Sequence, residues 1–371
     1  VKKRAIILPP LGPAWFSSVM GTGLLANLLG RYIGDFPWLV YPASALLFIG
    51  IVLLIVLTVG YLVRLERTHT SERANVHFVP VVDPAWGTVS MGYLSVGSAL
   101  LTVGPHIGLS GIVLPADTVL WSIGTVIGLV TNVAFLAHTM SRHVGTPLPV
   151  WGLAVVGPMV SATTGALLLR HFHTPGLQFM MLTLSFLCFI LALTHGTIIF
   201  ILAYAWHNRI EPLPVDASIS SWIPLGVVGQ STAAAVAISG SASLFLAPQA
   251  QSFATTTAVI YGLVMLVIAV PVIGFAIGQT WRGYRNNMAF SPGWWALTFP
   301  IGTLALGGAM LSEVPVIAGS AVATIAGIVG WVSLLTLCGT WTFCAGGSLW
   351  AIAVHHKRQF FGAGAVPSRR Q

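Results

Sequence analysis

The sequence predicts an all-α integral membrane protein of ten transmembrane helices, paired as five helical hairpins around a central pore with the odd-numbered helices inside. Three observations carry this reading. Only 6% of the 371 residues are charged, against 56% hydrophobic, whereas a soluble domain carries about 25% charged residues. The apolar residues fall into ten segments separated by Pro, Gly and short charged runs. The basic residues then partition almost wholly to one side of those segments. A chain this apolar cannot cover its surface with polar groups, so its main solvent is lipid.

The segments run over residues 14–30, 39–65, 86–104, 117–141, 150–169, 177–207, 221–246, 253–281, 293–312 and 317–355. Crossing the hydrocarbon core takes about 20 residues of helix, whereas a barrel strand is about 10 residues of alternating polarity. An even number of spans puts both termini on one side. That side receives Lys2, Lys3, Arg4, Arg64, Arg67, Arg73, Arg142, Arg209, Arg282, Arg285, Lys357, Arg358, Arg369 and Arg370, and the other receives Arg31 and Arg170. Lys and Arg favour the cytoplasmic side, so residues 1–371 are expected to form a single domain of the cell membrane with short cytoplasmic termini. The net charge of +8 is then mostly topology. Nucleic-acid binding is excluded, since it would need a basic face on a soluble domain. No cleavable signal is expected, because Arg31 and Asp35 follow the first segment directly with no small-residue cleavage pattern.

The odd-numbered segments are short and interrupted. Pro13 precedes the first, which contains Gly21 and Gly23, and Pro84 and Pro105 bracket the third. Gly152, Gly157, Pro158 and Gly165 interrupt the fifth, and Pro224, Gly226, Gly229 and Gly240 the seventh. Pro300, Gly302, Gly307 and Gly308 interrupt the ninth. Backbone freed by such breaks is tolerated at membrane depth only where it is buried in protein or lines a wet cavity. The odd segments are therefore expected to be broken helices facing a shared interior, and the longer, smoother even segments to face lipid or other subunits. On the even segments, Gly124 with Gly128 and Gly274 with Gly278 have the spacing that lets helices approach closely.

No catalytic constellation is present, so no enzyme, metal site or cofactor is expected. The string Gly21-Thr22-Gly23-Leu24-Leu25-Ala26 matches a dinucleotide fingerprint in form only, without the βαβ unit or the following acid. His171, His173, His355 and His356 lack further ligands, and Cys188, Cys338 and Cys344 read as buried apolar filler. All eight acids fall in loops or near segment ends, so a cation path would lack the buried carboxylate it usually needs. An anion path needs no buried cation, because broken helices can aim positive N-terminal ends at the ion and hydroxyls can help. Ser17, Ser18, Thr22, Gln230, Thr298 and Thr303, beside Gly23, Pro158, Pro224, Gly229 and Pro300, are the candidates. Their competing role is hydrogen bonding back to their own helix. Arg31 and Arg170 either make a weakly positive outer mouth with His171 and His173 or anchor the interface. His106, His138 and His195 are structural residues or, if transport is proton-linked, the proton carriers.

Pro13-Ala14-Trp15-Phe16-Ser17-Ser18-Val19-Met20-Gly21-Thr22-Gly23 resembles the first-span signature of the tellurite-resistance/dicarboxylate transporter family. Pro224-Leu225-Gly226-Val227-Val228-Gly229-Gln230 resembles its seventh-span motif, and Gly293-Trp294-Trp295-Ala296-Leu297-Thr298-Phe299-Pro300 its ninth. That family includes bacterial tellurite-resistance proteins, yeast malate permeases, fungal sulfite pumps and plant guard-cell slow anion channels. The resemblance spans essentially the whole chain. It implies five hairpins around a pore and a homotrimer with one pore per subunit. It further implies that Phe299 plugs the pore as a gate, the competing role being core packing. The Gly-Thr-Gly ending is nearest the sulfite and dicarboxylate branches, so the expected cargo is a small anion, sulfite or a four-carbon dicarboxylate such as malate. A proton-coupled carrier or exporter using His138 or His195 is the alternative. The long soluble tails of the plant channels are missing, and phosphorylation control of that type is not expected.

Overall fold

A computed structural model describes residues 6, 8–69, 80–141 and 145–361. Lys2, Lys3, Arg4, Glu72, Arg73, Arg142, Arg369 and Arg370 lie outside these, as do the side chains of His355 and His356. Ten α-helices carry the fold: α1 Phe16–Arg31, α2 Val40–His69, α3 Trp86–Val103, α4 Ser110–Ser141, α5 Leu153–Leu168, α6 Pro175–Arg209, α7 Ile223–Ala242, α8 Pro248–Arg285, α9 Phe299–Ser312 and α10 Ala321–Phe361. Among the described residues the β-structure is one isolated bridge, Ile6 to Phe290.

Each odd helix packs against the next odd helix, and α9 packs back onto α1, so α1, α3, α5, α7 and α9 close a ring. Each even helix packs against the odd helix before it. Burial shows which layer is outside. In the most apolar stretches, 89% of α5 and of α9 is buried, against 28% of α6 and 17% of α8. The even helices present Val126, Val130, Phe253, Val267, Leu335 and Leu349 outward, an apolar surface suited to hydrocarbon and not to water. Among the described residues, eight helices have the length and hydropathy of membrane spans. The two outside that measure, α1 and α3, carry hydroxyls and bury most of their residues against other helices. The chain is an all-helical, multi-pass membrane protein.

The odd helices are not broken. They are short, and most are entered through a 3₁₀ turn: Pro13–Trp15 before α1, Pro149–Gly152 before α5, Val215–Trp222 before α7 and Pro292–Leu297 before α9. Proline starts three of these turns, and Pro224 and Pro300 sit in the first turns of α7 and α9. A first-turn N–H has no intrahelical acceptor, so proline costs nothing there and its fixed φ favours the helix start. Pro158 lies within α5, but α4 and α8 also hold interior prolines, Pro115 and Pro271. Interior proline therefore does not separate the two layers.

Glycine separates them by a different route. Lipid provides no hydrophobic drive between helices, so close backbone approach supplies the packing. A Cβ on Gly23 would lie 2.9 Å from the Ser95 backbone, one on Gly87 1.7 Å from the Leu153 carbonyl oxygen, and one on Gly229 2.3 Å from the Leu304 nitrogen. These glycines join α1 to α3, α3 to α5 and α7 to α9. Gly128 similarly seats α4 against Ser90 and the Gly157–Pro158 peptide, whereas Gly274 and Gly278 meet nothing within 4 Å.

Candidate functional site

All five odd helices run in the same direction, so their N-terminal ends share one face of the molecule. A chamber of about 240 Å³ opens among those ends. It is walled by Ser17 and Met20 of α1, Thr88 and Met91 of α3, Leu153 and Val156 of α5, Ile223 and Gly226 of α7, and Phe299 and Pro300 of α9. Asp216, Ser220 and Ala296 from the preceding 3₁₀ turns complete it. The hydroxyls here are occupied: Ser17 donates to Ala14 O at 2.7 Å, Thr88 to Pro13 O at 2.6 Å and Ser220 to Ala217 O at 2.7 Å. The N-terminal ends of five helices face the space, each carrying roughly half a positive charge. Asp216 opposes them. Its Oδ1 accepts from the Ala289 N–H at 3.4 Å and its side chain is exposed.

A second, smaller chamber of about 20 Å³ lies further along the same helices, with room for about one water molecule. Its wall is more polar: Asn27 of α1, Ser95 and Ser98 of α3, Thr163 and Thr164 of α5 and Gln230 of α7, with Leu24, Val160, Leu167 and Leu306. Asn27 Nδ2 donates to Ser98 Oγ at 3.1 Å, and the Thr102 hydroxyl donates to Asn27 Oδ1 at 2.7 Å. Gln230 Nε2 donates to Thr163 Oγ1 at 2.8 Å.

One residue, Phe299, lines both chambers, and it is 2% exposed. Its position follows from local structure. The 3₁₀ turn Pro292–Leu297 ends at Thr298, whose φ of −101° and ψ of −70° mark the joint to α9. Phe299 is the first residue after that joint. The bend that sets its ring therefore comes from this joint and not from a kink at Pro300 inside a helix.

The chambers sort the residues expected from sequence. Phe299, Pro300, Gln230 and Ser17 line the path. Thr22 does not: its Oγ1 accepts from Trp341 Nε1 at 2.9 Å on the α10 side of α1, and its hydroxyl donates to Ser18 O at 2.7 Å. Ser18 faces the same outer groove as Thr22. Thr298 and Thr303 are fully buried and donate to Trp295 O and Pro300 O, both at 2.7 Å. Thr298 abuts Gly21 of α1, and Thr303 abuts Gly229 of α7. Gly23 and Gly229 are helix contacts, Pro158 faces α4, and Pro224 lines neither chamber. These corrections share one cause, since a helix turns 100° per residue and a neighbour of a lining residue faces elsewhere.

Residues missed from sequence are Asn27, Ser95, Ser98, Thr163 and Thr164. A signal for them exists. Lining positions advance by three, four and three residues in α1 (Ser17, Met20, Leu24, Asn27), in α3 (Thr88, Met91, Ser95, Ser98) and in α5 (Leu153, Val156, Val160, Thr163). The fourth position is polar in all three stripes, as are the third of α3 and the first of α1 and of α3.

The remaining expectations fall outside the path. His138 and His195 are half-buried on α4 and α6, outside the ring, and His195 Nδ1 lies 2.9 Å from Asn132 Oδ1. His106 is exposed beyond the end of α3, not buried. Arg31 pairs with Glu313 at the far ends of α1 and α9, which offsets its charge. Arg170 is exposed near Gly240 of α7. Asp117 is not at a segment end: α4 begins at Ser110, and the carboxyl is buried against Gly97 of α3.

This is a membrane protein built as a closed helical ring around two chambers that share one aromatic lining residue. A profile of the voltage-dependent anion channel family (SLAC1) matches residues 10–349, and the chain belongs to that family, whose members transport anions and are channels or transporters, not enzymes. A sulfite efflux pump (SSU1) of Arthroderma otae is 24% identical over 298 residues, covering 78% of each chain. The pump of the same name from Candida albicans is 22% identical over 334 residues, covering 79% of this chain and 64% of its own. An uncharacterised transporter of Methanocaldococcus jannaschii is 23% identical over 297 residues, covering 78% and 80%.

Proposed function

We propose that this protein passes small anions, sulfite foremost, through a path that Phe299 closes. The observation that carries this is the position of Phe299 as the one residue common to the two chambers. An aromatic ring at such a point closes a narrow path sterically and by excluding water. The absence of cations from both chamber walls suits a path that draws anions by helix ends and uncharged donors, because a buried fixed cation would trap the ion it admits. Similarity to sulfite efflux pumps favours sulfite over a four-carbon dicarboxylate such as malate.

The basic ends of α2, α6 and α8, at Arg64, Arg209, Arg282 and Arg285, share the face of the larger chamber. By the positive-inside rule that face is cytoplasmic, which makes the larger chamber the inner vestibule of a protein of the cell membrane. The resemblance to the tellurite-resistance/dicarboxylate transporters supports a trimer with one path per protomer, embedded in lipid.

The test is anion flux in proteoliposomes, with chloride, nitrate, sulfite and malate, with and without a pH gradient. Chloride and nitrate flux that is independent of the gradient supports the reading; flux of these proton-free anions that requires it overturns the channel. Two smaller results are expected in the same assay. Asp216→Asn removes a negative charge from the vestibule, so flux rises about twofold at low salt and the difference fades toward 1 M, where the Debye length is about 3 Å. His195→Gln leaves flux unchanged, because His195 lies outside the ring; abolished flux in folded protein would restore it as a proton carrier.

A further inference from the structure

The second chamber contains two buried polar groups without a partner. Ser95 Oγ and Gln230 Oε1 make no hydrogen bond, although Ser95 is 4% exposed and Gln230 2%. Leaving such groups unsatisfied is costly, so the cavity suits an occupant that accepts from Ser95 and donates to Gln230 Oε1, as one water does while the chamber is closed. They differ in kind. The Ser95 hydroxyl can donate, while Gln230 Oε1 can only accept. The amide nitrogen faces Thr163. Thr163 Oγ1 lies 3.3 Å from Met159 O and 3.4 Å from Gln230 O, so its proton has a carbonyl acceptor and its lone pair receives Gln230 Nε2. The amide oxygen is thereby the free end.

A halide or nitrate accepts hydrogen bonds and gives none. It would satisfy Ser95 and leave Gln230 Oε1 facing a negative charge. An oxyanion that still holds an acidic proton satisfies both groups, accepting from Ser95 and donating to Gln230 Oε1. We propose that this chamber is a binding site for the singly protonated form of a small oxyanion, hydrogensulfite being the fitting species, and that Gln230 selects for the proton. The assignment rests on the transport reading above and specifies which ionic form moves. The closed chamber holds about 20 Å³, room for about one water, so entry of the oxyanion requires the Phe299 ring, which lines this chamber, to move aside. Discrimination of this kind is strong, because a site built to pair with a hydroxyl rejects the analogue that lacks it through its own unpaired group.

The experiment compares hydrogensulfite with nitrate, a proton-free monoanion, in proteoliposomes corrected for leakage through protein-free vesicles. Wild type is expected to favour hydrogensulfite, with sulfite flux falling as pH rises through the second ionisation of the acid. In Gln230→Leu the hydrogensulfite-to-nitrate ratio should drop roughly tenfold, the equivalent of one lost hydrogen bond of about 1.4 kcal/mol, with nitrate flux retained. Ser95→Ala, a smaller change should Gln230→Leu fail to fold, should lower the flux of both anions and leave their ratio near wild type. If wild-type vesicles pass neither anion, the transport reading falls and this assignment with it. If they pass both and Gln230→Leu keeps the wild-type ratio and pH profile, transport stands and the assignment is wrong. A ratio that falls in Ser95→Ala as far as in Gln230→Leu also overturns it, since Ser95 donates to any anion.

Discussion

Phe299→Ala should raise anion flux by at least about tenfold, which corresponds to removing about 1.4 kcal/mol from the barrier. The ring is the one side chain common to the two chambers, so truncating it at Cβ joins them. Met20, Met91 and Ile223 border the vestibule below it, and these do not replace the ring, because they wall the larger chamber without reaching the smaller one. Phe299→Leu should raise flux less, since a branched aliphatic side chain still fills part of the gap. Purified protein in liposomes, with monodispersity checked after reconstitution, gives the measurement. Lower flux from correctly folded Phe299→Ala would identify the ring as a packing residue whose loss collapses the path.

Gly229→Ala should lower stability sharply and leave selectivity unchanged. The added methyl would sit 2.3 Å from the Leu304 nitrogen and 2.4 Å from the Thr303 carbonyl carbon. Both contacts are backbone, so no rotamer change relieves them and α7 must separate from α9. Overpacking of this kind costs about 1–3 kcal/mol or more. From the opposite side, Gly307 has Gly229 O at 2.6 Å from its own Cβ position, so the crossing has no slack. The expected result is a lower midpoint of thermal unfolding in detergent, with unchanged anion ratios in the protein that survives. A changed ratio at unchanged stability would return Gly229 to the lumen.

These two residues show what the sequence makes legible and what it does not. Ten helices and their alternation can be read because burial imposes composition: an even helix facing lipid is long and apolar, and an odd helix facing other helices is short and rich in glycine. Phe299 is picked out by the resemblance of its motif alone, and the proline beside it, read from sequence as an interruption, instead lies in the first turn of α9. Gly229 misleads because glycine serves a lumen and a tight crossing equally well, and the sequence alone does not say which backbone lies opposite. Thr22 misleads for a related reason. It sits two residues after Met20 and two before Leu24, both lining residues, yet those steps of 200° turn it toward Trp341. Asn27, Ser95 and Ser98 escape notice because polar residues one turn apart on separate helices acquire meaning only once the helices are aligned side by side. The partner of Arg31 escapes for the same reason, since Glu313 is distant in sequence.

The shared direction of α1, α3, α5, α7 and α9 has an electrical consequence. In an antiparallel bundle neighbouring peptide dipoles cancel, but here the five nearest the axis add, and the antiparallel even helices stand farther from it. Because the field of a helix end falls off within a turn, it acts at the vestibule and not along the whole path. The two mouths are thus unequal before any side chain is counted, and an anion meets an attractive well at one end alone. On the proposed function this asymmetry predicts rectification: with equal salt on both sides, current carried by anions entering through the vestibule should exceed the current at the reverse voltage.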